Sequence, residues 1–217
     1  MKVNRGVCAI WLVALLWMPG AAPGQTLPST IPLFPLDDVM LFPDVARPLM
    51  IFEPRYRAMV ADALKGDRMI GMVLLRPGFE ANYEGRPPVY AIGCAGRIVE
   101  FELLPDGQYF IELRGLVKFR VTSEDQSRLY RLARVDAIPD VASGNSTADI
   151  SMLRLKLESL LAASIPANSE LLSLPDAEFV NTLAQEMPLE PAFRQTLLEL
   201  MGPVSRAEAL IAWLERP

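Results

Sequence analysis

The pattern of apolar positions between Ile31 and Leu75 predicts short extended segments on either side of one helix. The first stretch, Ile31–Ile51, holds apolar runs broken by prolines 32, 35, 43 and 48. Because proline lacks a backbone donor, we expect these strands to lie at a sheet edge or to be kinked. Pro54 then opens an amphipathic helix that ends at Gly66, and the unbroken apolar run Met69–Leu75 predicts a buried strand.

A β-hairpin is the clearest local prediction. Ile98–Leu104 and Tyr109–Leu113 flank the sequence Pro105-Asp-Gly-Gln108, which is typical of a turn. Period-two alternation on the first strand predicts an apolar face made of Val99, Phe101 and Leu103. It predicts a solvated face opposite, which carries Glu100 and Glu102. Leu129–Ile138 predicts one further strand.

Helical spacing replaces this pattern after the polar stretch 139–146. Apolar residues three and four apart predict four helices. The first runs from Ile150 to Leu161 with Ser146 or Thr147 as its N-cap, and Asp176 caps the second. The third runs from Pro191 to Met201, and the fourth begins with a capping box of Ser205 and Glu208. The order of elements therefore indicates an α+β protein, with strands at 31–138 and a helical bundle at 147–217.

The first 24 residues have the pattern of a secretory signal peptide. Lys2 and Arg5 precede the apolar run Val7–Met18, and small residues follow it. Twelve apolar residues are too few for a membrane-spanning helix, which needs about 20. We expect cleavage at Gly24-Gln25, export to the periplasm and no stable membrane anchor.

Charge argues against a nucleic-acid partner. The chain holds 21 Lys and Arg against 26 Asp and Glu, for a net charge of −5, and no basic cluster offsets that excess. An acidic surface repels phosphate backbones. Binding of protein fits this composition better than binding of nucleic acid.

The residue inventory also limits catalysis. The chain has no histidine, so a Ser-His-Asp triad and a His-ligated zinc site are excluded. Cys94 is the single cysteine beyond the predicted signal, and its apolar surroundings predict a buried thiol. No Gly-rich phosphate loop precedes a lysine. We expect no catalytic residue, cofactor or metal.

Five carboxylates and one Ser-Lys pair are the remaining candidates for chemistry. Glu100, Glu102 and Glu112 lie close across the hairpin, where they could form an acid and base pair or simply a solvated sheet surface. Asp37-Asp38 could bind a metal or form a turn, and the turn is favoured because adjacent strand residues point to opposite faces. Ser159 and Lys156 could form a catalytic Ser-Lys dyad, but their spacing on a predicted helix favours two exposed side chains.

Several segments together resemble the Lon N-terminal substrate-binding domain in its stand-alone bacterial form. The landmarks are Pro32-Leu-Phe-Pro-Leu36, Leu41-Phe-Pro43, Leu49-Met-Ile-Phe-Glu-Pro-Arg-Tyr56, Ile92-Gly-Cys-Ala-Gly-Arg-Ile98 and Gly115-Leu-Val-Lys-Phe-Arg-Val121, with weaker ones at Gln195-Thr-Leu-Leu-Glu199 and Arg206-Ala-Glu-Ala-Leu210. The resemblance implies a small, partly open β-barrel of the PUA-like type followed by a helical bundle.

That resemblance also implies a function without ATPase or protease chemistry. In Lon proteases such domains help to capture unfolded or degron-bearing polypeptides. We therefore expect a non-enzymatic polypeptide-binding or adaptor module, with unfolded polypeptide or an envelope protein as partner. The alternatives are a structural or assembly partner in the envelope and an unrecognised carboxylate-based enzyme; the oligomeric state stays open.

The loop Arg76–Pro88 is the expected rim of the binding site. Gly and Pro residues mark it as a long connection, and such connections often carry function. Phe79 and Tyr83 are large rings in a polar loop, and aromatic residues are favoured anchors of binding surfaces. Either these rings bind peptide or they fold back onto the expected barrel.

Overall fold

The computed structural model describes residues 27–79, 85–125, 127–141 and 146–216, and the side chains of 146–148 are outside the description. The predicted signal peptide lies outside these ranges. The strands are Thr30–Leu36 (β1), Ala46–Ile51 (β2), Met69–Leu74 (β3), Ile92–Leu103 (β4), Tyr109–Asp125 (β5) and Arg131–Ile138 (β6). The helices are Pro54–Lys65 (α1), Ser146–Leu160 (α2), Asp176–Glu186 (α3), Pro191–Glu199 (α4) and Pro203–Leu214 (α5), and a short 3-10 helix, which the sequence did not predict, spans Glu170–Ser173.

One mixed sheet contains all six strands in the order β2-β5-β4-β3-β1-β6. β5 is long enough to pair with β2 and β4 and, near its end, with β6 as well. The sheet therefore curls back on itself and is partly closed, with β2 at its free edge. This confirms the α+β class, in which strands come first and helices follow.

The proline-rich strands only partly match the expectation for edges. β2 is an edge strand, whereas β1 lies between β3 and β6 and not at an edge. Pairing to β6 covers Thr30–Leu33 and pairing to β3 covers Leu33–Leu36. Each proline of β1 thus lies where only one neighbouring strand is paired, and its missing N–H is not needed on the other side.

The curled sheet is buried on both faces. A small inner core of Ile31, Leu33, Val73, Phe119 and Val135 fills the concave side. Glycine makes room there for the Phe119 ring: a Cβ on Gly93 would lie 2.8 Å from Phe119 Cζ and 2.3 Å from the Met72 carbonyl oxygen. The larger core lies on the other face, where the helices pack, and contains Met72, Cys94 and Leu113.

Two of the predicted helix caps are wrong. Asp176 is the first residue of α3 and not its cap, and its carboxylate accepts hydrogen bonds from Ser151 and Arg154 on α2 instead. α5 starts at Pro203, so Ser205 and Glu208 lie inside its first turns and form no capping box. In both cases proline begins or precedes the helix because its φ already suits the first turn.

Five buried polar side chains and the partly buried Asp140 join the helices to the sheet, and we call this set the polar seam. It consists of Lys118, Asp140, Asn181, Gln185, Gln195 and Arg206. Fully buried Arg206 donates to both carboxylate oxygens of Asp140 (2.6 and 2.9 Å), to Asn181 Oδ1 (2.8 Å) and to the Leu197 carbonyl (3.1 Å). Lys118, also buried, lies 2.9 Å from Asp140.

Two amides of the seam bind backbone groups of the sheet half. Gln185 accepts a hydrogen bond from the Phe42 N–H and donates to the Ala46 carbonyl, both at 3.0 Å. Asn181 donates to the Pro43 carbonyl at 2.9 Å. Because buried backbone groups must find partners, these bonds fix the position of α3 on the sheet.

The hairpin differs from its prediction on one face. Val99, Phe101 and Leu103 are 44%, 48% and 58% exposed, so this face is not core. A β-bulge at Val99 interrupts the pairing between Ile98 and Glu100, and the hairpin continues past the helices that cover Ile98 and Ile111. Alternation alone could not reveal where that cover ends.

None of the helices within the described ranges combines the length and apolar character that a membrane crossing requires.

Candidate functional site

An apolar groove of about 360 Å³ lies where the loop after β3 meets the start of α4. Leu75, Pro77 and Phe79 form one wall, Tyr90 lies on the side of β4, and Pro191 contributes from α4. Ligand-binding clefts typically have volumes of about 300–1,000 Å³ and mostly apolar linings. This groove is of the right size for one or two apolar side chains of a polypeptide.

Backbone bonds hold the stem of the loop in place. The Leu75 N–H donates to the Leu36 carbonyl (2.8 Å), the Arg76 N–H to the Pro88 carbonyl (2.9 Å) and the Tyr90 N–H to the Leu74 carbonyl (2.9 Å). The Arg76 guanidinium lies over the Tyr90 ring, 5.0 Å from its centroid. The groove walls next to the sheet are therefore preorganised.

Two arginines fix the other boundaries of the groove. Arg194 on α4 donates to the Asp38 carbonyl (2.8 Å), which ties the turn after β1 to the helix. Buried Arg131 donates to the Pro87 carbonyl and pairs with Glu124 at 3.0 Å. These bonds therefore hold the turn after β1 against α4 and fix the end of the loop at Pro87.

Phe79 lies in the groove wall and is 43% exposed. Gly78 precedes it with φ 88°, a left-handed conformation that glycine adopts without strain and that turns the chain toward the groove. Tyr83 lies outside the described residues. The structure thus places Phe79 in a groove that sequence analysis did not foresee, since Tyr90 and Pro191 join it only through long-range folding.

The rim of the groove carries charges of both signs. Asp37 and Glu190 lie beside Arg76 at its border. Asp37 and Asp38 form an exposed bend after β1, where the sequence favoured a turn. Within the described ranges, no group of three or more Cys, Asp or Glu side chains could hold a metal ion. Hydrophobic contact is what the groove offers a ligand.

The other candidates for chemistry lie apart from the groove. Lys156 pairs with Glu215 at 2.7 Å on the helical surface, and Ser159 is exposed. Cys94 is fully buried, as predicted, and burial raises the pKa of its thiol to about 12. A thiol with that pKa is not a nucleophile at neutral pH.

Comparison with known proteins gives a match over nearly the whole described chain. A family model described as the ATP-dependent protease La (LON) substrate-binding domain matches residues 30–216. Lon protease 2 of Myxococcus xanthus is 26% identical and aligns with 98% of this chain and 27% of its own length. Lon protease of Cytophaga hutchinsonii is 23% identical, over 88% of this chain and 25% of its own. The chain spans about a quarter of the length of these relatives.

Two solved structures agree with this match. The Lon N-terminal domain protein from Xanthomonas campestris is 27% identical with a TM-score of 0.59, over 85% of this chain and 98% of that one. The N-terminal domain of a Mycobacterium avium complex Lon protease, at 17% identity and a TM-score of 0.66, covers 85% of this chain and 97% of that one, and shows the shared fold. This chain belongs to the family of Lon protease substrate-binding domains.

Proposed function

We propose that this chain is a non-enzymatic module that captures unfolded or degron-bearing polypeptides in the cell envelope, and that it does so through the groove at Phe79. The observation that carries the proposal is the half-exposed Phe79 ring on the wall of a preformed apolar groove. An unfolded protein differs from a folded one mainly in its exposed apolar side chains, and this groove accepts such side chains without induced fit.

Geometry supports binding by the loop in two further ways. The groove walls next to the sheet are held by backbone bonds, so ordering those walls on binding costs little free energy. Its open rim and mixed charges set no narrow requirement on the ligand. Low sequence selectivity suits a module that must hold many different polypeptides.

Family membership supports the same proposal. The matched family is defined by substrate binding, and the Lon proteases align only through about a quarter of their length. We propose that these 217 residues neither cleave peptide bonds nor hydrolyse ATP. Labelled casein should stay intact in the presence of the purified protein, with or without ATP. Cleavage that disappears on changing Ser159 or Lys156 would contradict this proposal.

Export is proposed from the first 24 residues. Their basic start, apolar run and small-residue exit support secretion and cleavage near Gly24. Mass spectrometry of the protein purified from cells should show a chain that begins at or near Gln25. An intact N-terminus in the cytoplasmic fraction would contradict both export and an envelope role.

The functional test replaces Phe79 and Tyr83 with Ala. Binding of fluorescent, reduced and alkylated lactalbumin should weaken by about 1–3 kcal/mol in total, since aromatic anchors typically contribute that much. The melting temperature should change little because Phe79 is half-exposed. A matched control replaces Met152 and Leu155, which are 68% and 60% exposed on α2, with Ala.

Two results would count against the groove. If the double Phe79 and Tyr83 variant loses stability while lactalbumin binding is unchanged, the rings are core residues and the site lies elsewhere. If the protein binds no unfolded polypeptide but forms a stable assembly in sedimentation experiments, a structural role in the envelope is the better account.

A further inference from the structure

A second surface lies near the free end of the β4–β5 hairpin, where several side chains of β2, β4 and β5 are exposed. We call it the hairpin face and define it by Pro48, Met50, Glu100, Glu102, Phe110 and Glu112. Residues directly opposite each other in an antiparallel pair share a face. Across β2, β5 and β4, one row of the register consists of Met50, Phe110 and Glu102. The next row consists of Pro48, Glu112 and Glu100.

Half of this face is apolar and exposed. Met50 is 49% exposed and Phe110 is 38% exposed, and Phe52, two residues after Met50, is 62% exposed. Neither described core cluster includes these three side chains. Large apolar side chains grouped in this way mark interaction sites, whereas single ones are normal on any surface.

The other half of the face is acidic. Glu100 and Glu112 are directly opposite each other, an arrangement that destabilises a sheet. Among the described residues, no ion pair involves Glu100, Glu102 or Glu112. The nearest arginines on these strands are Arg97, beyond the bulge, and Arg114, which pairs with Glu178. The fold thus keeps an unfavourable pair of carboxylates beside an exposed apolar patch.

We infer that the hairpin face binds a polypeptide segment that is both apolar and cationic. Apolar side chains of the segment would cover Met50, Phe52 and Phe110, and its Lys or Arg side chains would neutralise the carboxylates of β4 and β5. A second copy of this chain is the less suitable occupant, because a symmetric contact through this face would bring the two sets of carboxylates together.

This surface is separate from the groove. Tyr90, at the groove, lies just before β4, and Leu103 ends β4 at the hairpin tip. Twelve residues of strand extend for about 36 Å if straight. The inference goes beyond the proposed function, and either can fail without the other.

The test uses two synthetic peptides of twelve residues, one alternating Val with Lys and one alternating Val with Glu. Fluorescence anisotropy should show that the full-length protein binds the Lys peptide at least tenfold more tightly than the Glu peptide. Salt should weaken the binding, since it screens exposed charges. Equal affinity for both peptides, or no binding of either, would overturn the inference.

Two variants locate the binding. Met50→Ser with Phe110→Ser should weaken the Lys peptide by about tenfold to a hundredfold, which corresponds to the usual loss at apolar anchors. Glu100→Gln with Glu102→Gln and Glu112→Gln should weaken it by about fivefold to thirtyfold, as three exposed ion pairs predict, and should remove most of the salt dependence. Unchanged affinity in either variant would overturn the assignment to this face.

Matched control variants make the same kinds of substitution at exposed positions outside the hairpin face. Met152→Ser with Leu155→Ser removes exposed apolar side chains from α2, and Asp136→Asn with Glu170→Gln and Glu208→Gln removes three exposed carboxylates elsewhere. Both should bind the Lys peptide normally. If the protein instead dimerises through Met50 and Phe110, as sedimentation of the Ser variant would reveal, a second copy is the occupant and the inference is wrong.

Lactalbumin binding distinguishes this inference from the proposed function. Loss of lactalbumin binding in the Phe79 and Tyr83 variant, with the Lys peptide still bound, leaves both proposals standing. Binding of the Lys peptide without any lactalbumin binding refutes the groove alone, and the opposite result refutes the hairpin face alone.

Discussion

The polar seam and the hairpin face reverse the usual distribution of side chains. In the seam, charged and amide groups are buried between the helices and the sheet; on the hairpin face, methionine and phenylalanine meet water. In the seam, Arg206 and Asp140 make several short hydrogen bonds to neighbouring elements. On the hairpin face, Met50 and Phe110 belong to neither core cluster of the described residues.

This difference shows what each region requires. Buried charges are tolerated only when they are paired and hydrogen-bonded, so the seam restricts the helices to one position on the sheet. Exposed apolar groups carry no such requirement and can serve a partner. Variants in the seam should therefore change stability, and variants on the hairpin face should change binding.

The largest expected effect concerns access to Cys94, which lies beside the seam. Its full burial means that a thiol reagent reaches it only when the protein opens. For a domain with a typical unfolding free energy of at least about 5 kcal/mol, labelling should be about a thousandfold slower than in denaturant or more. Rapid labelling of the native protein, or a disulfide-linked dimer on a non-reducing gel, would contradict this and point to a redox role.

Arg206→Met tests the seam by removing a fully buried guanidinium. The change leaves Asn181 Oδ1, the Leu197 carbonyl and Asp140 Oδ2 without the arginine donor, while Lys118 still lies beside Asp140 Oδ1. Breaking a buried charge pair in this way typically costs about 3–5 kcal/mol. Urea denaturation measures the loss, and exposed Arg134→Met should stay within about 0.5 kcal/mol of the natural protein. A small loss at Arg206 would mean that water replaces its contacts.

Gln185→Leu should have a smaller effect in the same seam. It keeps the side-chain volume but leaves the Phe42 N–H and the Ala46 carbonyl unpaired. An unsatisfied buried group costs about 1–3 kcal/mol. Lactalbumin and Lys-peptide binding should survive at temperatures where the variant is folded. Stability equal to that of the natural protein would show that α3 needs no polar contact to dock.

Sequence patterns predicted the elements well but not their surroundings. Period-two and helical spacing located α1, β3 and the hairpin to within a few residues, because those signals are local. The seam was invisible, since Arg206 and Asp140 are 66 residues apart and meet only through folding. The same limit explains the hairpin: alternation predicted its two faces, but only the helix positions decide that Phe101 stays exposed while Ile98 is buried.

Glu100→Lys should separate stability from binding on the hairpin face. Replacing one carboxylate of the opposed pair turns a repulsion with Glu112 into an attraction, which should stabilise the protein by about 0.2–1 kcal/mol. The same change places a positive charge where the Lys peptide is expected to bind, so its affinity should fall. A gain in stability together with unchanged affinity would show that the carboxylates are not part of a binding site.

The smallest expected effect is the pH dependence at Asp176, which joins α2 to α3 and lies outside both regions compared above. The hydrogen bond from Ser151, followed by the contacts with Arg154, lowers the pKa of Asp176 below its ordinary value of 3.8. A lowered pKa means that the folded protein binds fewer protons than the unfolded chain, so the contribution to stability is present above pH 3.8 and is lost as the pH falls through the folded pKa. The carboxylate is partly exposed, and its pairing should contribute less than about 1 kcal/mol. Asp176→Asn should therefore be slightly less stable than the natural protein at pH 6, and this difference should shrink below pH 4. If the difference is the same at both pH values, Asn replaces the carboxylate as an acceptor and charge has no part in holding α3 to α2.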